Sequence, residues 1–209
     1  EATEAGLAIP SSSGQRVPFQ AGDMRFVDVK KDGIINEEDR VVIGDPNPDI
    51  YGNFDLTFQW KNLELGALFT YSLGNDAYNA LRASLESGKS LYNQSSSMEN
   101  RWMGNGQQTD IPRATYDDPM GNSRFSDRWI EDASYLKFKR LMLTYHVPMR
   151  QNFIQSLSVW AAVNNVCTLT KYLGVDPEFS YSTSVLEQGV DGGLPPQSRS
   201  FQLGVNINL

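Results

Sequence analysis

The chain has 209 residues, with 25 acidic and 18 basic side chains, one histidine and one cysteine. The acidic balance and scattered Lys and Arg argue against a nucleic-acid surface. No apolar run reaches the 18 or so residues of a helical membrane span, but a β-barrel stays open, because barrel strands are short, half polar and nearly silent in hydropathy.

Glu1 stands where Met would, and nothing like a signal peptide follows, so the chain reads as a fragment or a processed product. Cys167 alone cannot close an internal disulfide. Residues 1–51 read as an extracellular loop region carrying an EF-hand-like acidic turn, and 52–209 as barrel strands with their loops. Within the first part, Asp28, Asp32, Asn36 and Asp39 occupy positions 1, 5, 9 and 12 of a calcium loop. The Ile34 carbonyl falls at position 7 and Gly33 makes the turn at position 6. Lys30 at position 3 and Asp39 in place of Glu depart from the pattern. Bound Ca2+, weak and of the extracellular class, stands against a glycine-centred acidic turn with no ion.

Strict alternation marks the strands, since period two puts one set of side chains on each face. Phe54, Leu56, Phe58 and Trp60 alternate with Asn53, Asp55, Thr57 and Gln59. After the two-residue break Lys61-Asn62, suited to a hairpin, Leu63, Leu65, Ala67, Phe69 and Tyr71 return. Asp76 to Glu86 has helical spacing (Tyr78, Leu81, Leu85), ending before Gly88. Leu141, Leu143, Tyr145 and Val147 form a third alternating set, and the parity shift over Tyr135 to Lys139 predicts a bulge. Leu157, Val159, Ala161 and Val163 form a fourth, and Phe201 to Leu209 a fifth of membrane-crossing length.

Connections alternate as well. Lys61-Asn62 and Pro148 to Gln155 are short, whereas Ser72 to Ser134 and Thr168 to Gln197 are long, as in outer-membrane barrels with short periplasmic turns and long outer loops. Trp60 and Tyr145 near inner ends, with Phe54, Tyr71 and Phe201 near outer ends, suit aromatic girdles. Five strands are too few for a closed barrel, so others must lie elsewhere.

Catalysis has little material. His146, the one histidine, reads as buried in a strand pattern. Glu131 and Asp118 form no spacing that singles them out as a glycosidase pair, and Gly189 to Gly193 reads as a flexible turn. The loop aromatics Tyr92, Trp102, Tyr116, Phe125, Trp129, Tyr172, Phe179 and Tyr181 suit a sugar or peptide ligand, with loop packing the favoured reading.

Longer motifs carry a resemblance. Gly22-Asp-Met-Arg-Phe-Val-Asp-Val-Lys-Lys-Asp-Gly-Ile-Ile-Asn36, Asp39 to Asp49, Ser126 to Lys137, Leu141 to Pro148, Asn164-Asn165-Val166, Tyr172 to Glu178 and Pro195 to Phe201 follow in family order. The chain resembles the C-terminal region of SusC/RagA-type TonB-dependent outer-membrane transporters of Bacteroidota. That resemblance implies an all-β, antiparallel transmembrane barrel of about 22 strands with a plugged lumen. It further implies a SusD-like surface lipoprotein handing over oligosaccharide or peptide, TonB acting through an absent N-terminal region, and no enzymatic activity. The family usually has Asn where Lys30 stands and a terminal Phe where Leu209 stands. The rival reading is a secreted, calcium-dependent carbohydrate-binding β-sandwich, which would bury the same apolar faces between two sheets.

Overall fold

A computed structural model describes residues 3–149, 153–179 and 184–208, and its contacts divide the chain into two units. Leu209, expected to end the last strand, and Tyr181 lie outside the described residues.

The first unit comprises Glu1–Ile43 and Asn79–Trp129. Its strands β1 (Ala8–Pro10) and β2 (Arg16–Pro18) pair antiparallel. Leu7, Phe19, Ile35 and Met120 make a small core, with Ile9 and Phe26 packed on it. Trp129 is fully buried; its Nε1 donates to the Arg124 carbonyl at 3.1 Å, and Arg128 and Arg82 lie over its ring at 4.6 and 5.5 Å. Amphipathic charged stems thus lid an apolar anchor.

The second unit, Gly44–Tyr78 with Ile130–Leu209, is built on one antiparallel sheet. Its strands are β3 (Ile50–Trp60), β4 (Leu63–Leu73), β7 (Tyr135–Val147), β8 (Ser156–Thr170) and β10 (Ser200–Asn208), paired in chain order. A smaller sheet joins β5 (Asp76–Asn79), β6 (Ile130–Asp132) and β9 (Val190–Asp191). Trp60 pairs with Leu63 across the two-residue turn, where Lys61 takes φ 52 and its Nζ sits 4.9 Å from the Trp60 ring centre.

Register carries the alternation across all five strands. Leu56, Ala67, Leu141, Val163 and Phe201 stand in one row; Phe58, Leu65, Leu143, Ala161 and Leu203 in the next; Trp60, Leu63, Tyr145, Val159 and Val205 in a third. One row outward, Phe54, Phe69 and Phe138 stack with centroids 4.8 and 4.5 Å apart. This apolar face is open: Phe58 is 67% exposed, Leu203 84% and Phe201 76%. The opposite face holds Gln59, Glu64, Thr144, Trp160 and Gly204 in one row and Asp55, Leu68, Arg140, Asn164 and Ser200 in another. Trp160 lies flat across Gly204, where a Cβ would collide with its indole.

The expected bulge is present. Arg140 pairs with Leu68 and Phe138 with Phe69, leaving Lys139 as the extra residue, and β8 adds one more between Asn164 and Cys167, with Asn165 at φ 52.

Three expectations are corrected. The helix predicted over Asp76 to Glu86 is α1, Ala80–Leu85, because residues 76–78 have strand partners in β6 and Tyr78 N–H reaches the Gly189 carbonyl; Asn79 then caps the helix by accepting from Arg82 N–H. Gly189 to Gly193 is no flexible turn, since Val190–Asp191 is a strand and Asp191 is buried. His146 is not buried: it lies on the polar face, 47% exposed, with Nε2 3.1 Å from Glu64. Replacing Trp129 by Ala should cost about 3–5 kcal/mol, read as earlier thermal unfolding and faster proteolysis within residues 79–129.

Candidate functional site: the polar wall and its loops

The densest polar construction lies where β7 bulges. Lys137, 2% exposed, sends Nζ to Asp176 at 3.1 Å and to Glu178 at 2.8 Å. Lys139 reaches Glu178 at 2.6 Å and the Gln197 side-chain oxygen at 3.1 Å. Backbone N–H groups of Glu178 and Gln197 both donate to the Asp176 carboxylate. The segment between β8 and β10 is therefore pinned to the strand wall at two points. Burial would push the Asp176 carboxyl up, but the Glu178 N–H, Lys137 and the Gln197 N–H outweigh it and hold it below its ordinary value. For Glu178 burial is likewise outweighed, by Lys137 and Lys139. Sequence reasoning missed this network. The charges were in the quoted motifs, but nothing local joins residues 39 and 41 positions apart.

The acidic loop is tied to its own backbone. Asp28 accepts from the N–H groups of Lys31, Asp32 and Gly33, and Asp39 from those of Val29, Lys30 and Asn36. Asp32 accepts from Ile34 N–H and Asn36 from Glu38 N–H. Gly33 takes the positive φ, 78, that its turn position requires. Lys30, at the third position, pairs with Glu38 at 2.7 Å. Hydrogen bonds from Asn36, Lys30 and Val29 lower the Asp39 pKa. Among the described residues, no three His, Cys, Asp or Glu side chains converge so as to hold a metal ion.

Loop aromatics divide. Trp129 and Tyr172 are buried, and the Tyr172 hydroxyl donates to Asp191 at 2.6 Å while its ring meets Phe179. Trp102 shelters Gly22, whose φ of 84 brings the backbone against the indole. Tyr92, Tyr116 and Phe125 are exposed. Tyr116 lines a cavity of about 300 Å³ with Arg101, Gln94, Ser90 and Leu91. The two carboxylates weighed for glycoside cleavage serve the backbone instead: Asp118 accepts from Asn122 and Ser123 N–H, and Glu131 from Leu173 N–H.

An open antiparallel meander, apolar and exposed on one side and polar on the other, defines the class as a barrel wall, and known proteins agree. TonB-dependent receptor P3 of Formosa agariphila is 30% identical over 196 residues, which is 90% of this chain and 19% of that protein. SusC of Bacteroides thetaiotaomicron is 25% identical over 191 residues, 88% of this chain and 17% of that one. The RagAB peptide importer in its closed-closed state superposes with a TM-score of 0.70 at 26% identity, over 96% of this chain and 20% of that one. No family model matches. Over nearly its whole length the chain is similar to TonB-dependent receptors, SusC among them, and it spans about a fifth of the length of the curated relatives it matches.

Both loop carboxyls have folded pKa values below their ordinary 3.8 and 4.5, so their contribution is complete above those values and is lost as pH falls through the lowered ones. Limited proteolysis of residues 171–199 should accordingly be slow at neutral pH and speed up well below pH ~4. Lys137→Met should bring the fast pattern to neutral pH, because it takes the cation from Asp176 and leaves Glu178 with Lys139 alone.

Proposed function

We propose that this chain forms the C-terminal strands and loops of a TonB-dependent nutrient importer of the bacterial outer membrane. The polar wall lines the lumen, the apolar rows meet lipid, and the long loops face outward. The remaining strands and the plug come from sequence beyond this chain, and energy arrives through TonB. A SusD-like lipoprotein meets the loops and delivers oligosaccharide or peptide; the likeness to the RagAB peptide importer supports peptide as one cargo class. The role is transport, with no chemical step assigned.

One observation carries the reading. Two neighbouring rows, Phe58 to Leu203 and Trp60 to Val205, are exposed on all five strands, an arrangement that is an aggregation liability in water and the stable one in lipid. A secreted sandwich would need a second sheet over those rows; they stand uncovered, and the relatives do not favour that reading. In the full-length protein, Leu203→Arg should cost about 2–4 kcal/mol on the lipid side and reduce heat-modifiable, membrane-inserted protein. Gln202→Arg, one residue away on the polar side, should leave it near wild type. Equal tolerance of both would overturn the reading.

Calcium at Asp28, Asp32, Ile34, Asn36 and Asp39 is a separate proposal, supported by their spacing and by the tight turn at Gly33. Binding of the extracellular class, Kd about 10⁻⁴–10⁻³ M, should let millimolar calcium raise the melting temperature of wild type and not of Asp32→Ala. An unchanged wild-type melting temperature would leave the loop as an ion-free acidic turn.

A further inference from the structure

Arg140 stands on the polar side of β7, opposite Leu68 and Asn164. Its neighbours Lys137 and Lys139 are matched by Asp176 and Glu178, but among the described residues Arg140 has no carboxylate. Among the described residues its one polar contact is Nη2 donating to Met142 Sδ at 3.0 Å, a weak acceptor. Its Nε is closed off from solvent and has no partner among the described residues. The adjoining row is Thr57, Gly66, Met142, Ala162 and Gln202, with no side chain at Gly66, so the wall is low beside the guanidinium.

A half-buried guanidinium that meets no counter-charge and has one N–H shut from water is unfavourable, and the two outer nitrogens of its fork match a carboxylate. We infer that Arg140 is a carboxylate-binding point of the polar wall, completed by an Asp or Glu side chain or a terminal carboxylate of a peptide chain lying against it. The peptide chain comes either from the protein beyond these residues or from bound cargo. The inference rests on the polar face being the lumen side, which the Leu203 and Gln202 variants test independently.

The experiment uses the full-length protein in detergent, with Arg140→Met to remove the charge at similar length and Arg140→Lys to keep the charge without the fork. If the carboxylate belongs to the protein, R140M lowers the cargo-free melting temperature by stranding it, and R140K recovers part of the loss. If it belongs to cargo, the cargo-free melting temperature holds, while affinity for a Glu-containing peptide falls at least tenfold and that for a neutral peptide of equal length is unchanged. A raised melting temperature in R140M with unaltered peptide affinity overturns the inference, since it marks relief of a cation that nothing meets. Should R140M fail to assemble, R140K gives the same readings in the same directions at smaller size.

Discussion

Hydrogen-bond register is the constraint on which everything else in the second unit depends. Because side chains alternate with period two, a slip of one residue between any two strands would carry Gln202 and Asn206 to the side of Phe58 and Trp60. The rows hold because five independently alternating strands agree, and agreement of this kind is what gives a sequence one structure. Among the described strands, alternation alone would fail at the β7 bulge and at the extra residue facing it in β8. With Lys139 as an extra residue, Phe138 joins the phenylalanine stack while Lys137 and Arg140 stay with the polar side.

That local departure also concentrates charge. Two of the three cations within four residues of β7, Lys137 and Lys139, meet two carboxylates from the segment leading to β10, and the segment is thereby fixed to the wall. Buried ion pairs are weak evidence for net stability. Their value here is positional: once Lys137 is shut from water, any arrangement that moves Asp176 and Glu178 away leaves a costly orphan charge. A long connection thus gains a defined place on a face that would otherwise leave it free.

How much was legible follows from range. Strands, the hairpin at Lys61-Asn62 and the bulge were readable because their signals are local, a period and its interruption. The Lys137 network was not, because its partners meet only through the fold. The helix start was misplaced since helical spacing in Asp76 to Tyr78 loses to strand partners and a hydrogen bond from Tyr78 to Gly189. Asp191 looked like turn chemistry until Tyr172 found it. The same aromatic residue types serve as core in Trp129 and Tyr172 and as surface in Tyr92 and Tyr116, a difference composition does not carry.

The most direct measurement is a cysteine scan of residues 200–208 in the full-length protein with Cys167 replaced by Ser, reading contact with a lipid-confined quencher in bilayers. The account predicts contact at 201, 203, 205 and 207 and protection at 202 and 206, with Gly204 kept as glycine because a Cβ there meets the Trp160 indole. Uniform values, or contact at the even positions, would contradict it.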